Sequence, residues 1–312
     1  MEELTKNIGL YFYRGYYQDY FGTEGLAVKY KSNKEKQGKA SAEKNKQFKK
    51  YKNLSGNEYI KINNLAICYP LKTTYPGLYT GSGYTFGAGV QGEFQLGSLF
   101  DHTTGLPYIP GSSVKGAIRA AFPNNDGGKL KRNTKYREQR EDFLWNEIIE
   151  KVINRDSKLY KEVSNKESTI EQAISKIELE LFEGRDFAKE YAERERLKKR
   201  DKKEEPKESY LGIYNRDVFH DAFISKTVQK GATKGQFLGL DYITPHKNPL
   251  KNPIPLPFLK ILPGVEICFQ FSFYDGYYLI AEEKKALAVE IIKTFGIGAK
   301  TNVGYGQFTD VI

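Results

Sequence analysis

The stretch FGIGAKTNVGYGQF, residues 295–308, sets four glycines in a G-x-G-x5-G-x-G frame with Lys300 near its centre. Glycine has no Cβ, so paired glycines let the backbone adopt positive φ and approach another chain closely. A lysine beside exposed backbone amides completes an anion-binding nest. The pattern predicts a loop that holds a phosphate backbone, and a plain glycine-rich connection before the last strand is the alternative. The predicted contacts are Gly296, Gly298, Lys300, Thr301, Asn302, Gly304 and Gly306.

Two familiar nucleotide-binding templates do not fit this stretch. A Walker A loop needs glycine directly before the lysine, and Ala299 stands there. The dinucleotide fingerprint needs a helix after the glycines, whereas VGYGQFTDVI, residues 303–312, predicts a strand.

A second motif, YIPGSSVKGAIRAAFP at residues 108–123, predicts a short helix that is capped by a serine and ended by Pro123. Its apolar stripe comprises Val114, Ala117, Ile118 and Ala121. Lys115 and Arg119 lie four residues apart and share the opposite face. A helix amino terminus itself attracts anions. We predict phosphate contact here, with a solvated surface as the alternative, through Ser112, Ser113, Lys115 and Arg119.

The composition favours a polyanionic partner. The chain of 312 residues carries a formal net charge of +10, with 28% charged and 39% hydrophobic residues. Two cysteines are too few for a disulfide framework, so Cys68 and Cys268 are expected to be buried reduced thiols in a cytoplasmic protein. Neither a signal-peptide core nor a long apolar window is found, which predicts no membrane association.

The amino-terminal region has two unusual segments. Residues 8–21 are rich in Tyr and Phe, and predict either a base-stacking surface or an arm docked on another subunit. Residues 29–52 hold ten lysines against Glu35 and Glu43, which predicts a mobile tail or loop. Such a tail could follow a phosphate backbone or simply be solvated.

The remaining elements follow from hydrophobic spacing. We predict strands at residues 59–71, 216–227 and 265–273, a helix at 282–295, a long loop at 229–258 and a charged helical insertion at 124–208. With the motif helix and the terminal strand, the core order is βαββαβ, which is the α+β arrangement of ferredoxin-like and RRM-type folds. The predicted segments are 1–58, 59–123, 124–208 and 209–312.

Catalytic groups are sparse. An endoribonuclease would need a general acid and base, and the chain has three histidines. His102 lies in a polar turn, His220 is expected to form a satisfied core pair with Asp221, and His246 lies in a basic loop. No Cys/His array predicts zinc and no carboxylate spacing predicts magnesium, so no cofactor is expected.

The two motifs, YIPGSSVKGAIRAAF and FGIGAKTNVGYGQF, resemble those of the RAMP superfamily of CRISPR-associated proteins. LFEG at 181–184, VFHDAF at 218–223 and LDYITPHKNP at 240–249 resemble one branch, the sixth RAMP subunit of Cmr-type (type III-B) effector complexes. That subunit caps the complex near the 3′ end of the guide RNA. The equivalent capping subunit of type III-A (Csm) complexes is the alternative branch.

The resemblance implies a non-catalytic RNA-binding subunit of a ribonucleoprotein for antiviral defence. Its implied partners are the guide (CRISPR) RNA, the target RNA, and the backbone, small and second capping RAMP subunits. Asp241, His246 and Lys247 would lie near the guide–target duplex. An RNA-cleaving role for Asp241 and a pure assembly protein are the alternatives.

Overall fold

The computed structural model describes residues 7–18, 20, 25–50, 67–81, 89–94, 98–123, 134–200, 204–244 and 255–311. Its strands are β1 (Ile67–Thr73), β2 (Tyr108–Ile109), β3 (Val218–Phe219), β4 (Ala222–Lys226), β5 (Leu238–Ile243), β6 (Leu256–Ile261), β7 (Glu266–Ser272) and β8 (Phe308–Asp310). Its α-helices are α1 (Ile8–Leu10), α2 (Leu26–Lys29), α3 (Lys34–Gln47), α4 (Gly111–Arg119), α5 (Thr134–Leu144), α6 (Glu150–Val152), α7 (Lys158–Ser164), α8 (Ile170–Glu178), α9 (Phe187–Lys199) and α10 (Ala281–Phe295).

The main sheet is antiparallel, with the spatial order β2-β4-β7-β1-β8 and with β3 paired to the far end of β7. Along the chain its core elements run β1, α4, β4, β7, α10, β8, and α4 packs against α10. The predicted α+β fold with a βαββαβ order is confirmed. The predicted strand at residues 216–227 is divided into β3 and β4, because its register against β7 shifts by one residue between Phe219, opposite Phe271, and Phe223, opposite Cys268.

β7 is the central strand, and its two ends locate the motifs. At its first residue Glu266 pairs with Lys72 of β1 and Lys226 of β4. At its last residue Ser272 pairs with Val218 of β3. At about 3.4 Å per residue, these ends are about 20 Å apart.

β5 and β6 form a separate two-stranded hairpin. The prediction of a loop at residues 229–258 is therefore wrong for residues 238–243 and 256–258, which lie in β5 and β6, because Gly and Pro residues flank strands as well as turns. The hairpin joins the core through Leu78, which exchanges backbone hydrogen bonds of 2.9 and 2.8 Å with Ile261. His246 and Lys247 lie outside the described residues.

The amino-terminal aromatic residues belong to this chain's own core. Phe12, Tyr16 and Tyr20 are fully buried, so an exposed stacking surface or an arm on another subunit is the wrong interpretation. Much of the lysine run is likewise not a tail, since it forms α3. That helix buries the polar side chains of Gln37, Ser41 and Asn45.

The charged insertion contains the predicted helices and is fixed to the core by a buried ionic cluster. Glu180 accepts hydrogen bonds from the backbone amides of Tyr277, Tyr278 and Leu279 at 2.8–3.1 Å. Lys284 on α10 donates to Asp217 at 2.8 Å and lies 3.8 Å from Glu180. Burial raises the pKa of both carboxyl groups, and Lys284 opposes that rise.

Cys68 and Cys268 are joined as a disulfide, with their Cα atoms 5.5 Å apart. The prediction of two reduced thiols is wrong, because the register of β1 and β7 makes the two residues diagonal neighbours. Cys68 lies opposite Gln270, and Cys268 lies opposite Pro70. In the described part of the chain, none of the helices combines the length and apolar character needed to cross a bilayer.

Candidate nucleic-acid interface

The glycine-rich loop, residues 296–306, begins where α10 ends and leads into β8. Lys300 has a left-handed backbone, with φ of 62°, and precedes a 3₁₀ turn at Thr301–Val303. The four glycines also have positive φ: 74° at Gly296, 101° at Gly298, 93° at Gly304 and 70° at Gly306.

The glycines allow the loop to approach its own chain closely. A Cβ on Gly306 would overlap the carbonyl oxygen of Ile297, and a Cβ on Gly298 would lie 2.5 Å from the carbonyl oxygen of Tyr79. Several loop amides are used internally, among them those of Ile297, which donates to Gly306 (2.9 Å), Ala299, which donates to Tyr79 (2.9 Å), and Gly306, which donates to Gly77 (2.8 Å). The loop is therefore fastened in one conformation at the Glu266 end of β7.

The outer surface of the loop is polar and basic. Gly296 and Gly306 are buried, whereas Gly298, Lys300 and Asn302 are exposed. Thr301 and Gly304 are half-buried. Within the described chain, the Lys300 ammonium has no ion-pair or hydrogen-bond partner, so its charge is available to an external anion.

Asp241 of β5 ties the hairpin to the loop. Its Oδ2 accepts hydrogen bonds from Lys260 Nζ and Tyr305 OH, both at 2.6 Å. Burial alone would raise the pKa of Asp241, but the hydrogen bonds from Lys260 and Tyr305 bring that pKa below its ordinary value. Burial and the bond to Asp241 raise the pKa of Tyr305. Asp241 is thus an ionised residue that positions Tyr305.

A small aromatic cluster supports the loop from beneath. The Tyr79 and Phe258 rings are 4.6 Å apart, and Tyr305 lies against Phe258 at 5.9 Å. The Tyr79 hydroxyl is buried without a hydrogen-bond partner among the described residues, and burial raises its pKa to about 12.

Tyr75 lies beside the loop and is 84% exposed. The next residue, Pro76, would be 3.4 Å from a Cβ on Gly304, and Thr74 N donates to Gln307 O at 3.0 Å. The backbone before this ring is therefore fixed to the loop, while the ring itself faces solvent.

The α4 motif is arranged differently from its prediction. The helix begins at Gly111 after Pro110, and neither serine side chain caps it. Instead, Asp221 Oδ1 accepts the Gly111 amide at 2.6 Å. The predicted serine cap is wrong because a carboxylate from another segment occupies that position. Ser112 and Ser113 are exposed.

The two cations of α4 are engaged within the chain. Lys115 Nζ donates to Phe182 O at 2.8 Å, and burial, followed by repulsion from Arg119 and Arg216, lowers the pKa of Lys115. Arg119 binds Glu178 at 3.1 Å and Glu183 at 2.6 Å. Burial opposes the charged form of Arg119, but the bonds to these glutamates raise its pKa.

The structure therefore brings some predicted residues together and separates others. Asp241 joins the glycine loop at the Glu266 end of β7. Gly111 lies against Phe219 and His220, near the Ser272 end. The two basic motifs, α4 and the glycine-rich loop, therefore lie on different parts of the molecule.

The described histidines form no acid–base pair with a carboxylate. His102 is exposed beside the Tyr13 ring at 5.8 Å. His220 Nε2 lies 2.8 Å from Ser272 Oγ, so its predicted pairing with Asp221 is wrong. In the same described ranges, no group of three or more His, Cys, Asp or Glu residues is placed to hold a metal ion.

Sequence reasoning missed Tyr75, Lys260 and Tyr305 as members of this site. Tyr305 had a signal, because it stands between two glycines of the loop. Lys260 and Tyr75 have no such signal in the sequence, because their positions depend on how the hairpin and β1 pack against the loop.

The fold and site define an antiparallel βαββαβ protein with a fixed glycine-rich loop after its second core helix. The model of one protein family, described as the RAMP superfamily, matches residues 70–309. The chain therefore belongs to the RAMP superfamily. The matched range includes α4 and the glycine loop and begins after α3.

Solved structures of low similarity accompany this match. One, a chain from the cryo-EM structure of the type III-B Cmr-beta bound to cognate target RNA, is 18% identical with a TM-score of 0.39. The alignment covers 88% of this chain and 65% of that one. Another, Cmr6 from Pyrococcus furiosus, is 22% identical with a TM-score of 0.34, over 79% of this chain and 98% of that one. No curated protein matches.

Proposed function

We propose that this chain is a non-catalytic RNA-binding subunit of a type III-B CRISPR (Cmr) effector complex, capping it near the 3′ end of the guide RNA. The observation that carries the proposal is the fixed glycine loop, whose Lys300 has no partner among the described residues, together with the exposed ring of Tyr75 on the segment that bonds to the end of that loop. Membership of the RAMP superfamily supports it. The partners in this proposal are guide RNA, target RNA and the other Cmr subunits.

The primary contact in this proposal is to the sugar–phosphate chain. Lys300 neutralises a phosphate, the exposed Gly298 and Asn302 border the same strand of RNA, and Tyr75 stacks on a base. Stacking on an aromatic ring tolerates every sequence, since each base has a π-face. That suits a subunit that must hold guides of different sequence.

The α4 surface is a secondary contact at most. Ser112 and Ser113 are exposed and can meet a phosphate. Lys115 and Arg119 hold internal acceptors that a phosphate would have to displace. We therefore assign more of the binding free energy to the glycine loop than to α4.

The contacts of Asp241 favour binding over cleavage. A general base needs a free lone pair within reach of the nucleophile. Three of the roughly four lone-pair positions of the Asp241 carboxylate are occupied, because Oδ2 accepts two hydrogen bonds and Oδ1 accepts the Tyr242 amide at 2.9 Å. Its lowered pKa also makes it a weak base. The endoribonuclease alternative predicts RNA scission that Asp241→Asn abolishes.

The test compares Lys300→Ala with Lys189→Ala, an exposed cation of α9. We expect Lys300→Ala to weaken binding of a labelled guide-length RNA about threefold to tenfold, and to lower the slope of log K against log salt by about 0.7. The control should change neither quantity. Unchanged binding by Lys300→Ala contradicts the assignment, and cleavage of the RNA by the wild-type chain contradicts the non-catalytic role.

A further inference from the structure

We propose a second RNA-binding surface on α2 and α3, which takes the sugar–phosphate chain after it leaves the glycine loop. We call it the lysine-helix surface, and it comprises Lys29, Lys31, Lys34, Lys36 and Lys49. The inference rests on the proposed function, because it extends the path of the same RNA. It concerns residues that precede the range matched by the family model.

α3 is fixed to the core by an unusual polar face. Asn45 accepts a hydrogen bond from the Tyr16 hydroxyl at 2.7 Å and donates to Gly92 O at 2.9 Å. Ser41 Oγ lies 3.4 Å from the Tyr20 hydroxyl. These side chains are at most 2% exposed. Buried groups bonded in this way hold a helix in one orientation, so the lysines that α3 exposes have defined positions.

The lysines of this surface differ from their neighbours on α3 in having no carboxylate partner among the described residues. Lys39 and Lys46 pair with Glu35 and Glu43 on the same helix. In contrast, Lys31, Lys34, Lys36 and Lys49 are exposed and have no such partner within the described chain, while Lys29 lies 5.8 Å from the Tyr30 ring. Lysines without counter-charges that are concentrated in one short segment repel one another, and a polyanion relieves that repulsion.

The position of the helix links it to the glycine loop. Residues 48–50, the 3₁₀ turn that ends α3, pack against β5. β5 also carries Asp241, which binds Tyr305 of the loop. The lysine-helix surface and Lys300 are thus connected through one hairpin, and a continuous strand of RNA can contact both.

The experiment replaces Lys31, Lys34, Lys36 and Lys49 together with glutamine in the full chain. Glutamine has a helix propensity close to that of lysine, so α3 should persist. A matched control makes the same charge change on the insertion, at Lys189, Lys198, Lys199 and Arg200. A second variant replaces the four α3-region lysines with arginine, which keeps the charge.

We expect the glutamine variant to bind guide-length RNA at least about tenfold more weakly at low salt, with its salt slope lowered by about 3, that is about 0.7 for each lost phosphate contact. The arginine variant and the insertion control should bind as the wild type does. Equal weakening by the control would show a general charge effect and would overturn the proposal.

The outcomes also separate this inference from the proposed function. If Lys300→Ala weakens binding and the glutamine variant does not, the lysine-helix surface is wrong and the glycine-loop site stands. If only the glutamine variant weakens binding, RNA lies on α3 and the glycine-loop assignment fails. If neither changes binding, both are overturned.

Discussion

The glycine loop and α4 carry similar cations, yet the structure uses those cations in different ways. At the loop, much of the backbone bonds internally, and the Lys300 ammonium has no partner among the described residues. At α4, Lys115 donates a hydrogen bond to the carbonyl oxygen of Phe182, and Arg119 forms ion pairs with Glu178 and Glu183. A basic motif is therefore a good predictor of anion binding only where its charge has no partner inside the chain.

The largest expected effect is on the free energy of unfolding and comes from a substitution within the glycine loop. Gly306→Ala forces a Cβ against the Ile297 carbonyl at a left-handed φ, so we expect a loss of about 3 kcal/mol in the free energy of unfolding. The matched substitution in α4 is Gly116→Ala, where nothing lies within 4 Å of the new Cβ. It should be neutral or stabilise by up to about 1 kcal/mol. Urea unfolding measures both, and equal effects would contradict the contrast.

Arg119→Ala should lower the free energy of unfolding and leave the affinity for RNA nearly unchanged. Glu178 is largely buried, and removal of its partner leaves a poorly solvated carboxylate, which costs about 2 kcal/mol. Binding of guide-length RNA should stay within about twofold of wild type at a temperature where both chains are folded. A large loss of affinity with unchanged stability would show that Arg119 contacts RNA and would contradict this expectation.

Tyr75→Ala should weaken RNA binding by about 1–2 kcal/mol, or about fivefold to thirtyfold, through lost stacking. Tyr75→Phe keeps the π-face and should bind normally. Tyr214 is 91% exposed away from the loop and provides the control. If Tyr214→Ala and Tyr75→Ala weaken binding equally, the ring beside the loop has no special role.

Asp241→Asn should give the smallest effect, about 1 kcal/mol of stability at neutral pH. The folded pKa of Asp241 is below its unfolded value, so its contribution is present above the unfolded pKa and is lost as pH falls through the folded pKa. The stability difference between wild type and Asp241→Asn should therefore be constant near neutral pH and shrink in acid, below about pH 4. A difference that grows in acid would contradict the assigned direction.

Regular hydrophobic spacing explains which elements could be predicted. β7 and α10 follow from alternation and from a four-residue repeat, and both occur where expected. α3 was missed because its buried face is made of Gln37, Ser41 and Asn45, which a hydrophobic pattern does not detect. Its stability depends on tyrosine hydroxyls far away in sequence.

The candidate site was only partly predictable for a related reason. The glycine pattern identified the loop, but absence of a Cβ permits close approach of either RNA or the loop's own backbone. The choice depended on Gly77 and Tyr79, more than 200 residues earlier in the chain. Likewise, the partners of Lys115 and Arg119 come from an insertion whose packing no local motif encodes.

The most direct test of the central claim is photo-crosslinking of a guide-length RNA to the full chain, followed by mass spectrometry of the linked peptides. We predict crosslinks at Tyr75 and within residues 296–306, reduced by Lys300→Ala. Crosslinks confined to α4 and the insertion, with none at the loop, would contradict the account.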